Sequence, residues 1–244
     1  MSDARADEAT MSGAAPSGAG KASERGPSRA SERLEPRVRD RMPADFREAV
    51  DFHGHLCPGL TTGYRAARMT MERLGVERGA DEELVGIVET DACGVDAFQY
   101  LTGCTLGKGN LIYRDYGKQV FTLVRRADGR GVRVSMRSDA LEPDPERTAL
   151  KTRVMSGEAT DEERARFWQG HVERALELAE MPAGEFGTVT EVVVELPPKA
   201  GAFDSVICAV CGEAVMEPRA RVRDGESCCI PCSTRYSRGW EINA

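Results

Sequence analysis

Apolar residues recur along the middle of the chain at spacings that are typical of helices. The clearest pattern predicts a helix of about four turns that begins at Pro58 and ends at Gly75. Its apolar residues share one face: Leu60, Tyr64, Ala67, Met71 and Leu74. A short helix over PADFREAVDF precedes it, and a second short helix centred on residues 95–101 follows it. An apolar face of this kind predicts that the long helix packs against a core.

Short apolar and alternating runs predict strands between and after these helices. The first run is LVGIVET (84–90), two more are FTLVRR and VRVSM joined by the turn ADGRG, and the last is TVTEVVVELP. Two helices, in EPDPERTALKTRVMSG and ATDEERARFWQGHVERALELAEM, precede the last strand, and Thr160 with Glu163 predicts a capping box for the second. Helices and strands mix without regular βαβ alternation, so we expect a mixed α+β fold.

Composition divides the 244 residues into three parts. Residues 1–42 consist largely of Ala, Gly, Ser, Pro and charged residues, and we predict a disordered tail because so few apolar side chains cannot offset the chain entropy. Residues 43–196 form the predicted α+β core domain. The sequence PPKAGAF (197–203) is a predicted linker, and residues 199–244 form a small cysteine-rich domain.

The charge and hydropathy of the chain exclude several classes of partner. The net charge of −7 makes a general nucleic-acid-binding role unfavourable, because phosphate binding requires an excess of Lys and Arg. No apolar run approaches the roughly 18 residues of a membrane span, and no apolar segment near the start resembles a signal peptide. We therefore expect a cytoplasmic protein, in which clustered cysteines bind metals or react as thiols rather than form disulfides.

The C-terminal domain contains two C-x-x-C pairs, in CAVCGEAVMEPRARVRDGESCCIPC. We predict that Cys208, Cys211, Cys229 and Cys232 hold a structural zinc ion, since two such turns supply a tetrahedral set of thiolates. Cys229 is preferred to the adjacent Cys228 because it alone gives the two-residue spacing. A redox-active dithiol is the alternative. Because this small domain has few apolar residues, we expect zinc to supply much of its stability.

Two of the three histidines fall in DFHGHLCPGL (51–60). In an extended segment His53, His55 and Cys57 point the same way, and Gly54 lets the backbone approach a ligand. Pro58 suits the first position of a helix, which places Cys57 near the N-cap, where the helix dipole favours a thiolate. We interpret His55 and Cys57 as candidate metal ligands, or Cys57 as a nucleophile with His53 as a proton carrier. The alternative to a functional site is that one histidine hydrogen-bonds a backbone carbonyl and the thiol packs in the core.

A second polar segment, TDACGVDAFQYLTGCTLGKGN, follows the first predicted strand. Its candidate site residues are Asp91, Cys93, Asp96, Gln99 and Cys104, and Lys118 in DYGKQ is a further candidate that adds positive charge. Cys93 lies at a predicted helix entry, and Asp96 and Gln99 share a polar face of that helix. Free cysteines are often small core residues, which is the alternative for Cys93 and Cys104. His171 is expected at the surface, away from this cluster.

The motifs HGHLCPGL, DACGVDAFQYLTGCTLGKGNL and DYGK resemble the FmdE family, named for the FmdE component of molybdenum formylmethanofuran dehydrogenase. The similarity runs from about Ala44 to Leu196, and the following cysteine pairs resemble a treble-clef zinc finger. The resemblance implies an α+β core, often dimeric, with a cavity lined by the His/Cys motif. The family's characteristic positions match His53, His55, Cys57, Cys93 and Cys104, together with Asp91, Asp96, Gln99 and Lys118.

The resemblance implies a metal-binding protein that is accessory or related to molybdenum or tungsten formylmethanofuran dehydrogenase, in one-carbon metabolism. A second metal in the core cavity is expected to be zinc, iron, or a molybdenum or tungsten species. The implied partners are a second copy of the chain and a molybdenum or tungsten enzyme; whether the protein is itself an enzyme stays open. Two alternatives remain: a zinc-finger regulator or sensor that contacts a protein partner, and a thiol-redox protein that uses Cys57 and Cys93.

Overall fold

The computed structural model describes residues 29–141 and 144–233. Within these ranges the core contains seven helices: α1 Pro36–Arg39, α2 Ala44–His53, α3 Pro58–Leu74, α4 Gly94–Thr102, α5 Pro145–Met155, α6 Asp161–Glu180 and α7 Ala183–Phe186. The core strands in the same ranges are β1 Leu84–Val88, β2 Leu111–Tyr113, β3 Val120–Arg125, β4 Arg130–Met136 and β5 Gly187–Val193. These elements confirm the predicted mixed α+β fold.

The five strands form one sheet in the order β2-β1-β3-β4-β5. Strand β1 pairs with β2 in parallel, and the other neighbours are antiparallel, with Ile87 opposite Thr122 and Thr122 opposite Arg133. Helices α3 and α4 pack on the sheet, and α2 and α6 pack on these two helices. The main core lies between the helices and the sheet, where Phe46, Phe98 and Phe186 are fully buried.

The second face of the sheet has a smaller apolar cluster. Val85, Ile87 and Val124 point to this face, and the segment after β5 covers them with Val194 and Leu196. Strand β1 is therefore buried on both faces, which explains its continuous apolar run.

Helix ends follow the capping signals in the sequence. Thr160 accepts from the N–H of Glu163 at 3.2 Å, and the Glu163 carboxylate accepts from the N–H of Thr160 at 2.9 Å, as the predicted capping box requires. Gly75 ends α3 in the left-handed conformation with φ of 64°. Helix α7 and the parallel pairing of β2 were not predicted.

The folded part of the chain begins earlier than the sequence predicts. Residues 29–42, assigned to the disordered tail, contain a 3-10 turn over Ser31–Arg33 and helix α1. Ala30 and Met42 are buried, and Leu34 and Val38 pack against the main core. The prediction is wrong for this stretch because these four scattered apolar residues share one surface once the turn and helix form. The rest of the predicted tail, residues 1–28, lies outside the described residues.

The C-terminal domain contains two short antiparallel hairpins. Strands β6 Ser205–Ile207 and β7 Ala214–Met216 form the first hairpin, and β8 Arg221–Arg223 and β9 Glu226–Cys228 form the second. Within the described part of the chain, no helix has the length and apolar character needed to cross a membrane.

Candidate metal centre

Four residues from three helix ends meet in the core domain. One ligand atom from each of His53, His55, Cys57 and Cys93 lies within 4.8 Å of the others. We call this group the tetrad. It joins the two predicted segments, between which helix α3 and strand β1 lie in the sequence. The expected ligand pair, His55 and Cys57, is thus extended by His53 and Cys93.

The end of α2 and the start of α3 position the first three members. Gly54 adopts a left-handed conformation with φ of 95°, which ends α2 immediately after His53. The chain then turns so that the His53 and His55 ring centroids lie 4.4 Å apart. Cys57 is the N-cap of α3, as predicted, and its sulfur accepts from the N–H of Leu60 at 3.3 Å.

Close contact between α3 and α4 brings Cys93 to the tetrad. A Cβ atom added to Gly63 would lie 1.8 Å from the carbonyl oxygen of Gly94, so the two backbones touch at this point. One turn earlier, a Cβ atom at Gly59 would lie 3.3 Å from Cβ of Cys93. Cys93 precedes α4 directly, so the starts of the two helices meet with their cysteines side by side.

Asp96 fixes the orientation of His53. The Nδ1 atom of His53 lies 2.7 Å from Oδ2 of Asp96. The other ring nitrogen, Nε2, is buried and has no hydrogen-bond partner among the described residues. A buried polar atom without a partner is costly, and a carboxylate–histidine pair with one free nitrogen is the usual arrangement of a metal-bound histidine.

Burial alters the acid–base properties of the tetrad. Desolvation lowers the pKa of His55, and the neighbouring His53 lowers it further, so the imidazole stays neutral with a lone pair available. Desolvation also raises the pKa of Cys57 to about 11, although the N–H groups of Leu60 and Gly59 oppose the shift. Without a cation Cys57 is therefore a thiol at neutral pH, whereas a bound metal ion favours the thiolate.

The other predicted site residues lie outside the tetrad. Cys104 is fully buried in the main core, where burial raises its pKa, and its Cβ would lie 3.1 Å from a Cβ at Gly86. Asp91 and Lys118 are exposed, and the Lys118 ammonium lies 5.8 Å from the ring centroid of Tyr116. Gln99 is partly buried on α4, one turn beyond Asp96.

His171 is a residue that sequence reasoning missed. It was expected at the surface, but it is half-buried on α6 and stacks near Phe167, with ring centroids 5.4 Å apart. Burial lowers its pKa, and the nearby His55 side chain and the positive charges of Arg147 and Lys151 lower it further. His171 therefore lies within electrostatic range of the tetrad. No spacing in the sequence could reveal this, because 116 residues separate it from His55.

The C-terminal domain contains a second group of metal ligands. The sulfurs of Cys208, Cys211, Cys229 and Cys232 lie within 4.8 Å of one another. The Cys208 sulfur accepts from the N–H of Cys229 at 3.3 Å, and backbone N–H groups of Cys211, Cys229 and Val210 lower the pKa of Cys208 to about 6. Four sulfurs at this spacing fit a tetrahedral zinc ion, as predicted, and Cys228 is buried beside them outside the set.

The fold and the two cysteine-containing groups define a metal-binding α+β protein with a C-terminal zinc finger. A family model described as "FmdE, Molybdenum formylmethanofuran dehydrogenase operon" matches residues 52–187. A second model, "Prokaryotic dksA/traR C4-type zinc finger", matches residues 201–238. The chain belongs to the FmdE family and has a four-cysteine zinc finger after its FmdE domain.

The known proteins that are similar to this chain include a curated archaeal protein and a protein of known crystal structure. A "Probable S-adenosyl-L-methionine-binding protein" of Archaeoglobus fulgidus is 36% identical over 195 residues, which cover 77% of this chain and 52% of that protein. The chain thus spans about half the length of this curated relative. A "tungsten formylmethanofuran dehydrogenase subunit e (fmde)-like protein" from Syntrophus aciditrophicus is 24% identical to this chain, and its crystal structure matches with a TM-score of 0.52. The match covers 77% of this chain and 91% of that chain, and it shows the same fold.

Proposed function

We propose that the core domain binds a transition-metal ion, zinc or iron, through His53, His55, Cys57 and Cys93. The observation that carries this proposal is the buried Nε2 atom of His53, which has no partner among the described residues while Asp96 occupies Nδ1. A metal ion would satisfy this nitrogen, and Asp96 would hold the tautomer that presents it.

The donor set suits such an ion. Two imidazoles and two thiolates are borderline-soft ligands that zinc and iron accept. Zn–N bonds of about 2.1 Å and Zn–S bonds of about 2.3 Å in a tetrahedron place neighbouring ligand atoms about 3.4 to 3.8 Å apart. The tetrad atoms lie within 4.8 Å of one another, so side-chain movements of about 1 Å would bring them to tetrahedral coordination distances.

The tetrad residues differ in exposure, and this suggests different roles. Cys57 is 4% exposed and is held as the N-cap of α3, so it would anchor the ion. His55 is exposed, so it could dissociate from the ion and leave one coordination position open. A bound ion would supply a Lewis acid at that position. Asp96 keeps His53 oriented through the 2.7 Å contact, and the free His55 imidazole can then accept a proton. Molybdenum or tungsten species would use the same thiolates.

We further propose that the protein is accessory or related to a molybdenum or tungsten formylmethanofuran dehydrogenase in one-carbon metabolism. Support comes from the family description and from the similar crystal structure, both of which carry the name of that dehydrogenase. Co-expression with the catalytic subunits of the dehydrogenase tests this role. We expect the chain to co-elute with them on size exclusion; separate elution at micromolar concentration would contradict it.

Metal analysis of the full-length protein tests the core site. We expect two equivalents of metal per chain, and one equivalent in Cys57→Ser and in Cys93→Ser. Cys104→Ala is the matched control, because Cys104 is a buried cysteine outside the tetrad, and it should keep two equivalents. One equivalent in the unaltered protein would refute the core site. If that protein also formed a disulfide between Cys57 and Cys93, the thiol-redox alternative would replace our proposal.

The Archaeoglobus relative favours a second candidate function, the binding of S-adenosyl-L-methionine. The name of that protein states this ligand, and its 36% identity covers most of this chain. Calorimetric titration of the purified full-length protein with S-adenosyl-L-methionine tests it. Saturable binding at micromolar concentration would support this function, and the absence of heat at millimolar ligand would refute it.

A further inference from the structure

A cavity of about 290 Å³ lies where α5 and α6 approach the start of α3. Its wall includes Pro58, the residue directly after the tetrad member Cys57, so the cavity lies beside the proposed metal centre. Phe167 and Leu178, both buried, supply apolar wall atoms. The volume is enough for a small organic molecule at the lower end of known ligand sites.

The polar part of the wall is mainly basic. It contains Arg147, Lys151, His171 and Arg174, whereas Asp144 is the acidic residue among the described lining residues. The Asp144 carboxylate already accepts from the N–H of Glu146 at 2.9 Å as the N-cap of α5. The wall therefore presents more positive than negative charge.

Two of these cations have no carboxylate partner within residues 29–141 and 144–233. Arg174 pairs with Glu177 at 3.0 Å, but neither Arg147 nor Lys151 forms an ion pair with a described residue. Arg147 and Lys151 are four residues apart on α5, so they share one face, and like charges at this spacing destabilise a helix. An external anion bound between the two side chains would offset this repulsion.

His171 connects this basic wall to the tetrad. The charges of Arg147 and Lys151 on α5 lower the pKa of its imidazole, and the nearby His55 side chain of the tetrad lowers that pKa further. An anion held by Arg147 and Lys151 would lie in the cavity that Pro58 also lines, and Pro58 directly follows the tetrad member Cys57.

We propose that this cavity binds the carboxylate or phosphate group of a small anionic substrate and holds that substrate beside the tetrad. The inference rests on the proposed metal function, for which it names a substrate class. The guanidinium of Arg147 offers paired donors that match an oxyanion, and Lys151 adds a second positive charge. A cationic ligand would be repelled by the same wall.

Calorimetric titration of the zinc-loaded full-length protein with inorganic phosphate, and separately with acetate, tests the proposal. We expect saturable binding of at least one of these probes, and the tighter one identifies the oxyanion. In the double variant Arg147→Gln/Lys151→Gln, affinity should fall at least about tenfold, since hydrogen bonds to charged groups are lost. The control Arg219→Gln/Arg221→Gln removes the same charge from exposed positions of the zinc finger and should bind as the unaltered protein does.

The outcome separates the two proposals. Absence of binding of both probes, or equal affinity in the Arg147→Gln/Lys151→Gln variant, would overturn the anion site. Zinc content measured on the same samples tests the metal centre independently, because the double variant leaves all tetrad residues in place. If the protein contains only the zinc of the finger but still binds phosphate through Arg147 and Lys151, the metal function is refuted and the anion site is supported.

Discussion

Replacing Asp96 with Asn tests the link between the carboxylate and the metal ion. The substitution keeps the shape of the side chain but removes the charge that lies 2.7 Å from Nδ1 of His53. Loss of such an outer carboxylate weakens metal binding by about 10- to 100-fold. Because the Asp96 side chain is 40% exposed, solvent screens part of its effect, and we expect the lower limit. A tenfold loss corresponds to about 1.4 kcal/mol.

Competition between the protein and a zinc-binding dye measures this change. The zinc finger, which Asp96 does not contact, serves as an internal reference whose affinity should stay constant. Asp91→Asn is the matched control, since Asp91 is a nearby exposed carboxylate outside the tetrad. Equal core affinity in Asp96→Asn and the unaltered protein, or an equal loss in Asp91→Asn, would refute the reasoning.

Four further predictions concern stability and assembly. Gly63→Ala places a Cβ atom 1.8 Å from the Gly94 carbonyl oxygen, so we expect a lower melting temperature and loss of core metal; an unchanged thermal scan would contradict the close contact. Thr160→Ala removes a helix cap worth about 1 kcal/mol and should lower Tm by about 2–4 °C, whereas Ser at this position should not. Chelation should expose the zinc finger to protease while the core resists, as mass spectrometry of the fragments would show. The family resemblance implies a homodimer, so light scattering should give twice the 26.6 kDa mass of the chain; a monomer mass would refute this expectation.

The sequence predicted local features of the site well. Cys57 acts as the N-cap of α3 because Pro58 and the apolar face after it define where that helix begins. The finger ligands follow from the spacing of two C-x-x-C pairs, which is a local property. Such features need no knowledge of how distant parts of the chain pack.

Distant contacts could not be predicted in the same way. His53 and Asp96 are 43 residues apart, and their contact depends on how α2 and α4 pack. Cys93 and Cys104 look equivalent as sequence candidates. The packing of α4 on α3 brings Cys93 to the tetrad, whereas Cys104 is buried against Gly86 of β1. His171 reaches the same region only because α6 packs against α3.

The proposed core metal site and the zinc finger differ in what surrounds them, and this predicts the order in which they would bind metal. The tetrad is attached to helix ends that a large apolar core already holds, so the core should fold without metal and could bind the proposed ion afterwards. Among the described residues from 199 to 233, the buried ones are Cys208 and Cys228, so the finger has almost no apolar interior of its own. Zinc binding and folding of the finger should therefore occur together. We therefore expect the proposed core ion to be exchangeable in the folded protein, whereas the finger should keep its zinc for as long as it stays folded.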